Sequence, residues 1–391
     1  MFNYRIILKR NTFIKFIYEN LITYRKKNVF KTRRNKRALL SYSTLPFLKN
    51  YKKKIHPNLM ENICLAGILN DYGYIVDVYN NTFGGKINYE QYDVIVGEGL
   101  PISNYFIRKN NAKIRTIYYA TGSHPFYNNT QSYKALFQFY EKYGIYIYNS
   151  SRIVDNKWGI GASLSEYLVL LGNNQTEMTF KENGLNSQKM FKLYAPYYAD
   201  NIISNFQKKN KTKFLWFGSY GLIHKNLNII IDIFEKYTDL ELHICGYLDI
   251  EPRFMKVYKE IINKSSNIYI HGFINVSSGK FKELMEECSF VILSSCAEGC
   301  ATAVITAMGN GGLIPLVSKQ CGVDIVNGVL FDSNDEATIE SAIRNSMHFY
   351  TKNMIIEHSK INIEYVKKYF SIEVYNENLK NIFRTIFADI K

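Results

Sequence analysis

The sequence runs to 391 residues with 47% apolar residues, which is room for two folded domains of ordinary size. No uninterrupted apolar segment is long enough to cross a membrane and no leader with a compact apolar core is evident; the six cysteines (Cys64, Cys245, Cys288, Cys296, Cys300, Cys321) form no CxxC pair and have no histidine at metal spacing, which excludes a disulfide scaffold or zinc module and points to reduced thiols in a cytoplasmic protein. The net charge of +15 is concentrated at the start, where residues 1–37 hold twelve Lys or Arg against one acid, Glu19.

Residues 1–36 therefore read as a basic arm. Phe13, Ile17, Leu21 and Tyr24 recur at helical spacing, with Lys9, Arg10 and Lys15 beside them and Arg25, Lys26 and Lys27 after them. A basic amphipathic helix suits an anionic membrane surface, at about 1 kcal/mol per basic residue near the lipid. Packing on the protein's own body and nucleic-acid binding are the alternatives. No aromatic–basic module such as an RNA-recognition motif accompanies the arm, so a specific nucleic acid is not an expected partner.

From residue 37 the pattern changes to alternating strands and helices. Arg37–Ser43 is the first expected strand, Pro57–Leu69 a helix, and Ile75–Tyr79, Tyr92–Gly97 and Ile114–Ala120 further apolar strands. Leu168–Gly172 is another. Strand, helix, strand with short connections predicts a doubly wound parallel sheet over residues 37–192, which takes ligands at the C-terminal ends of its strands. His124, in Ala120-Thr-Gly-Ser-His-Pro125, lies just past such an end. A lone histidine is as a rule structural, but here Gly122 and Pro125 hold it in a loop on the ligand side.

Residues 193–211, with Pro196 and a Lys/Asn-rich end, read as a linker. The strand–helix pattern restarts at residue 212 and predicts a second α/β domain to residue 370, with helices over 334–347 and 371–389. Phe214–Phe217 is a strand followed by Gly218-Ser219-Tyr220-Gly221 and His224-Lys225-Asn226. Glycine lets a backbone approach a phosphate and lysine supplies charge; the plain alternative is a strand–helix turn with a surface lysine. Leu240–Cys245 and Asn267–Ile270 are strands ending at Gly246 and just before Gly272. The densest signal is Phe290–Ile325: an apolar strand to Leu293, a polar turn to Gly299, a small-residue helix from Ala301 to Met308, and another strand from Leu313. Small residues at Gly299, Cys300 and Ala301 admit an anion to the unpaired amides of a helix start, and Glu298 sets a carboxylate beside that spot for hydroxyls. A sugar joined to a diphosphate uses both features.

Taken together these segments resemble glycosyltransferases of the GT-B fold, close to the retaining family 4 group (glycosyl transferases group 1). The resemblance rests on Phe217-Gly-Ser-Tyr-Gly-Leu-Ile-His-Lys225-Asn226, Leu242-His-Ile-Cys-Gly246, Ile270-His-Gly-Phe273 and Ser294-Ser-Cys-Ala-Glu-Gly299, with Tyr118–Pro125 and Leu168–Gly172 in the first half. It implies two Rossmann-like domains facing a cleft, with the helix over residues 371–391 packing back toward the first.

The resemblance also implies roles. Glu298 would contact donor-sugar hydroxyls, Lys225 would neutralise the diphosphate leaving group, and His124 would stand near the anomeric centre. Gly218 and Ser219 would approach the diphosphate, the amides of Gly299, Cys300, Ala301 and Thr302 would hold sugar and diphosphate, and the Gly246-Tyr247 and Gly272-Phe273 loops would frame the nucleobase. Two places depart from the family pattern: Thr306 stands where a second acid grips the ribose, and Ser219 where an arginine often follows the glycine. The implied activity is retaining transfer from a nucleotide-diphosphate sugar to a glycan or lipid-linked acceptor. It uses no metal or resident cofactor and takes place in the cytoplasm or on the inner face of a membrane. The alternative is an inactive GT-B homologue serving as a binding subunit of a transferase complex.

Overall fold

The computed structural model describes residues 24–48, 57–108, 113–185 and 189–389. The first domain is a sheet of strands β1 (Arg25–Lys26), β2 (Lys36–Tyr42), β3 (Tyr74–Asn80), β4 (Val94–Gly97), β5 (Arg115–Ala120), β6 (Tyr167–Leu171) and β7 (Lys189–Leu193) in the order β1-β3-β2-β4-β5-β6-β7. Only β1 is antiparallel to its neighbour. Helices α1 (Pro57–Asp71), α2 (Leu100–Ile107), α3 (Pro125–Tyr143), α4 (Lys157–Leu164) and α5 (Asn174–Lys181) connect the strands. They cover both faces, which is why β4 and β6 are buried along their whole length and read as unbroken apolar runs.

The second sheet, of β8 (Asn210–Phe217), β9 (Glu241–Cys245), β10 (Ile268–Gly272), β11 (Cys288–Leu293), β12 (Ile314–Ser318) and β13 (Val329–Phe331), is wholly parallel in the order β10-β9-β8-β11-β12-β13. Its helices are α6 (Leu227–Lys236), α7 (Pro252–Lys264), α8 (Gly279–Glu287), α9 (Thr302–Gly311) and α10 (Glu336–Phe349). Helix α11 (Lys352–Phe370) packs on α9, and α12 (Ile372–Ala388) crosses back onto α1 and β7 of the first domain. In each sheet the strand order reverses beside its first parallel strand, between β2 and β4 and between β8 and β11. That reversal opens a crevice at the carboxyl ends of the strands.

The chain thus crosses between domains twice, over residues 194–209 and at Phe370–Ser371. The crossings touch: Tyr197 N–H donates to the Phe370 carbonyl at 2.9 Å. Buried Asn310 of α9 fixes the first crossing to the second domain, accepting from Asp200 N–H at 2.8 Å and donating to the Tyr198 carbonyl at 2.7 Å. Apolar packing is continuous through Tyr197, Ile203 and Phe206 into both domains.

Two details differ from expectation, and one expectation goes untested. The amphipathic pattern through Phe13, Ile17 and Leu21 falls on residues outside those described. The later part of the arm lies on the first sheet, where Arg25 and Lys26 pair with Tyr79 and Val78. The expected linker loses its last residues to β8, whose polar start at Asn210 and Lys211 is solvent-exposed. Just before it, Lys209 is buried; its ammonium donates to the carbonyls of Met285 at 2.7 Å and Cys288 at 2.6 Å, where α8 ends. No helix among the described residues is long and apolar enough to cross a membrane.

One buried acid of the first domain has a thermodynamic consequence. Glu61 on α1 accepts from Tyr42 at 2.7 Å and Tyr119 at 3.3 Å, and Tyr119 meets Tyr375 of α12 at 2.8 Å. Burial pushes the Glu61 carboxyl up from 4.5 to about 7, against the pull of those tyrosines. Between these two values the folded chain holds a proton that the unfolded chain has released, so stability falls as pH rises through that window. Glu61→Gln should abolish this term, gaining about 3 kcal/mol on wild type between pH 4.5 and 8 in denaturant titrations. An unchanged slope would assign the loss to another group.

Candidate active site

The site grows from two loops at the crevice of the second sheet. After β8 the chain turns through Gly218–Gly221, and the buried Glu251 carboxylate holds this turn by accepting from Gly221 N–H at 2.5 Å and Leu222 N–H at 3.2 Å. Asn226, the residue before α6, takes a left-handed conformation (φ 51°) and donates to the Ser294 carbonyl at 2.7 Å. Such a backbone is costly for a residue with a side chain and persists where surrounding bonds enforce it. Here it joins the turn after β8 to the loop after β11.

His224 makes the second joint. Its Nε2 faces the Ala297 carbonyl at 2.6 Å, so Nε2 carries the proton and Nδ1 accepts from the Ser132 hydroxyl of α3 at 2.8 Å. Burial lowers this imidazole to about 3, so it stays neutral and structural. The two joints deliver Lys225 to Glu298. The Lys225 ammonium donates to Glu298 Oε1, which also accepts from Ser295 Oγ at 3.1 Å. The other oxygen, Oε2, accepts from Arg152 Nη1 at 3.0 Å. Burial alone would raise the Glu298 carboxyl; Lys225 and Arg152 overcome it and hold the group well below the usual carboxylate range. One carboxylate between two cations leaves the cluster with a net positive charge.

The opposite wall is the first domain. Buried Glu98, just past β4, accepts from Thr121 N–H at 3.2 Å and Thr121 Oγ at 2.9 Å, fixing the loop that carries His124. His124 caps α3: Nδ1 accepts from Phe126 N–H at 3.3 Å, so the proton is on Nε2. That Nε2 is buried and has no partner among the described residues. Burial between Phe126 and Phe180 lowers the ring to about 4. The two walls touch at Gly299. Its carbonyl accepts from Thr176 Oγ at 2.6 Å, and a Cβ there would lie 2.7 Å from the Thr121 carbonyl and 2.9 Å from Gly122 Cα. Only glycine permits that approach, and it sets the loop of Glu298 against the loop of His124.

The remaining expected residues fall around this centre. Gly218, Gly246 and Gly272 form one edge, with Gly218 N–H on the Cys245 carbonyl at 3.0 Å and Gly246 N–H on the Gly272 carbonyl at 2.9 Å. Tyr247 and Phe273, both exposed, stack on each other with centroids 4.5 Å apart. Ser219 is half-buried beside Tyr220. Helix α9 starts at Thr302, four residues beyond Glu298. Of the four amides expected at an anion, two are already bound to carbonyls: Ala301 N–H to that of Cys321, beyond β12, at 2.9 Å and Thr302 N–H to that of Cys300 in its own loop at 2.8 Å. The Cys300 thiol is buried and pushed up to about 12. Thr306 is buried one turn into α9, its carbonyl accepting from Asn310 at 2.9 Å. Sequence reading did not single out Arg152, Glu251 or Glu98. Nothing marks a lone Arg152 in a polar loop, whereas His224 stands next to Lys225 in a motif already noted.

Residues 211–348 match the family model described as glycosyl transferases group 1. No curated protein matches the chain significantly. Among solved structures, the sucrose-phosphate synthase of Thermosynechococcus elongatus superposes with a TM-score of 0.63 at 11% identity, covering 91% of this chain and 100% of that one. HepE of Anabaena, in complex with UDP and glucose, gives 0.56 at 14% identity, covering 90% and 100%. A glycosyltransferase of Rickettsia africae gives 0.52 at 12%, covering 87% and 84%. At such identities the likeness speaks for the fold, while the family match falls on the domain that carries Lys225 and Glu298. The chain therefore has the two-domain GT-B fold, and its second domain is similar to the glycosyl transferases group 1 family model over residues 211–348.

Proposed function

We propose that the protein is a retaining glycosyltransferase that moves a sugar from a nucleotide-diphosphate donor to a glycan or lipid-linked acceptor. The observation that carries this reading is the Glu298 carboxylate, ionised and held by Lys225 inside the second domain, at the crevice between β8 and β11. Supporting it, HepE was solved with UDP and glucose. In the reaction the bond from the anomeric carbon to the phosphate oxygen breaks and a bond to the acceptor oxygen forms. The acceptor's proton passes to the departing phosphate on the same face. Glu298 would accept hydrogen bonds from sugar hydroxyls. Lys225 would meet the charge growing on the leaving group, a task that positive groups fixed in place perform without reorganisation. The stacked Tyr247–Phe273 pair offers the nucleobase an aromatic surface. The basic arm would hold the enzyme at an anionic membrane face, where a lipid-linked acceptor is presented.

Transfer or hydrolysis assays with UDP-glucose, UDP-N-acetylglucosamine and GDP-mannose test this directly. Glu298→Gln and Lys225→Ala should each lower turnover by about 10²–10³-fold; three equal rates would remove both residues from the chemistry.

His124 adds a pH signature. Being neutral above about pH 4, it offers a hydrogen bond from Nε2 and does not titrate between pH 5 and 8. His124→Gln, which keeps an N–H donor, should retain more activity than His124→Ala. Neither variant should change the shape of the kcat/KM profile over that range. Loss of an inflection near pH 6.5 in both would identify His124 as a proton-transfer group instead.

A further inference from the structure

Arg152 belongs to the first domain by chain position but serves the second by contact. Its segment is tied down on both sides. The Arg152 carbonyl accepts from Asn128 Nδ2 of α3 at 2.7 Å, and Val154 N–H donates to Asn129 Oδ1 at 2.9 Å. The Ser150 carbonyl accepts from Ile223 N–H at 3.1 Å and His224 N–H at 3.2 Å. From this anchored base the side chain crosses the cleft. It lies over the Tyr220 ring, 5.1 Å from guanidinium carbon to centroid, and reaches Glu298 Oε2 at 3.0 Å. Gly221 makes room for it: a Cβ there would sit 2.4 Å from Arg152 Cγ, on a backbone at φ 83°. About 30% of the side chain remains exposed.

A carboxylate needs one cation to offset its charge, and Lys225 already donates to Glu298. A planar guanidinium with five N–H donors is more than that carboxylate uses. It is suited to a second planar or tetrahedral anion, and its position over Tyr220 places it at the turn that a diphosphate would approach. We propose that Arg152 is a diphosphate ligand supplied by the first domain across the cleft, so that holding the donor and holding the two domains together are one act. The proposal rests on the nucleotide-sugar reading above. Sugar hydroxyls take up Glu298 as hydrogen-bond acceptor, and the guanidinium turns its fork to the phosphate oxygens while Lys225 holds them from the other side. No bond is made or broken by Arg152.

The test uses the full chain and compares UDP with uridine, which lacks the diphosphate. Calorimetry should show UDP affinity falling roughly 10–100-fold in Arg152→Gln, with a shallower salt dependence, and less in Arg152→Lys. Uridine binding should stay at wild-type strength in both, which also reports that the variants are folded. Adding Ser219→Arg to Arg152→Gln places a cation in the same turn from the second domain and should restore most of the UDP affinity. In small-angle scattering UDP should compact the wild type but not this double variant, because that cation no longer bridges the domains. UDP and uridine weakened equally, or UDP binding unaffected by Arg152→Gln, would overturn the assignment. Wild type that binds neither UDP nor GDP would defeat the nucleotide-sugar reading and this assignment with it.

Discussion

Much of the site depends on one electrostatic arrangement: a carboxylate removed from water and held between two cations that come from different domains. A buried ion pair is poor evidence for stability, since desolvating the charges costs several kcal/mol and the pairing returns little more. At Glu298 the balance is tipped by having two partners and a hydroxyl, and the carboxyl stays ionised despite burial. What the arrangement secures is position. Glu298, Lys225 and Arg152 hold one another in place, and each is also set by a backbone locked elsewhere, at Glu251, Asn226 and Asn128.

The fold explains why these groups meet. The turn after β8 and the loop after β11 flank the crevice where the second sheet reverses its strand order. The loop holding His124 follows β5 and leans on Glu98, which lies beyond β4 beside the reversal in the first sheet. Two crevices facing each other make a cleft whose walls are strand ends, and strand ends are where backbone can turn tightly. Gly299 marks the contact between the walls, with its carbonyl bound to Thr176 of one domain and the place of its missing Cβ taken up by the backbone at Thr121 and Gly122.

The strands were legible because parallel strands covered on both faces are written as short apolar runs. Val94–Gly97, Tyr167–Leu171 and Phe290–Leu293 could hardly be read otherwise. The donor loops were legible because glycine, lysine and glutamate stand at fixed offsets from such runs. What escaped did so for physical reasons. Strand β1 consists of two basic residues whose pairing to β3 depends on tertiary contact. Lys209 looks like a linker lysine and is buried because two carbonyls at a helix end need donors. Arg152 carries no local pattern, since its partner is distant in sequence and belongs to the other domain. Two of the amides at the start of α9 are bound to carbonyls, Thr302 N–H within its own loop and Ala301 N–H to Cys321 beyond β12, contacts that no local pattern announces.

The touching crossings bear on movement. Tyr197 and Phe370 share a hydrogen bond, and Asn310 welds the chain just beyond Tyr197 to the second domain. Two strands that pass side by side, each clamped on the same flank, act as a pair of pins on one doorpost. Sliding or twisting of the domains would shear both pins, whereas swinging about the line through them strains neither. The crossings thus resist sliding and twisting more than rotation about themselves, and Arg152–Glu298 and Lys142–Asp232 are further ties between the domains that any such rotation must break.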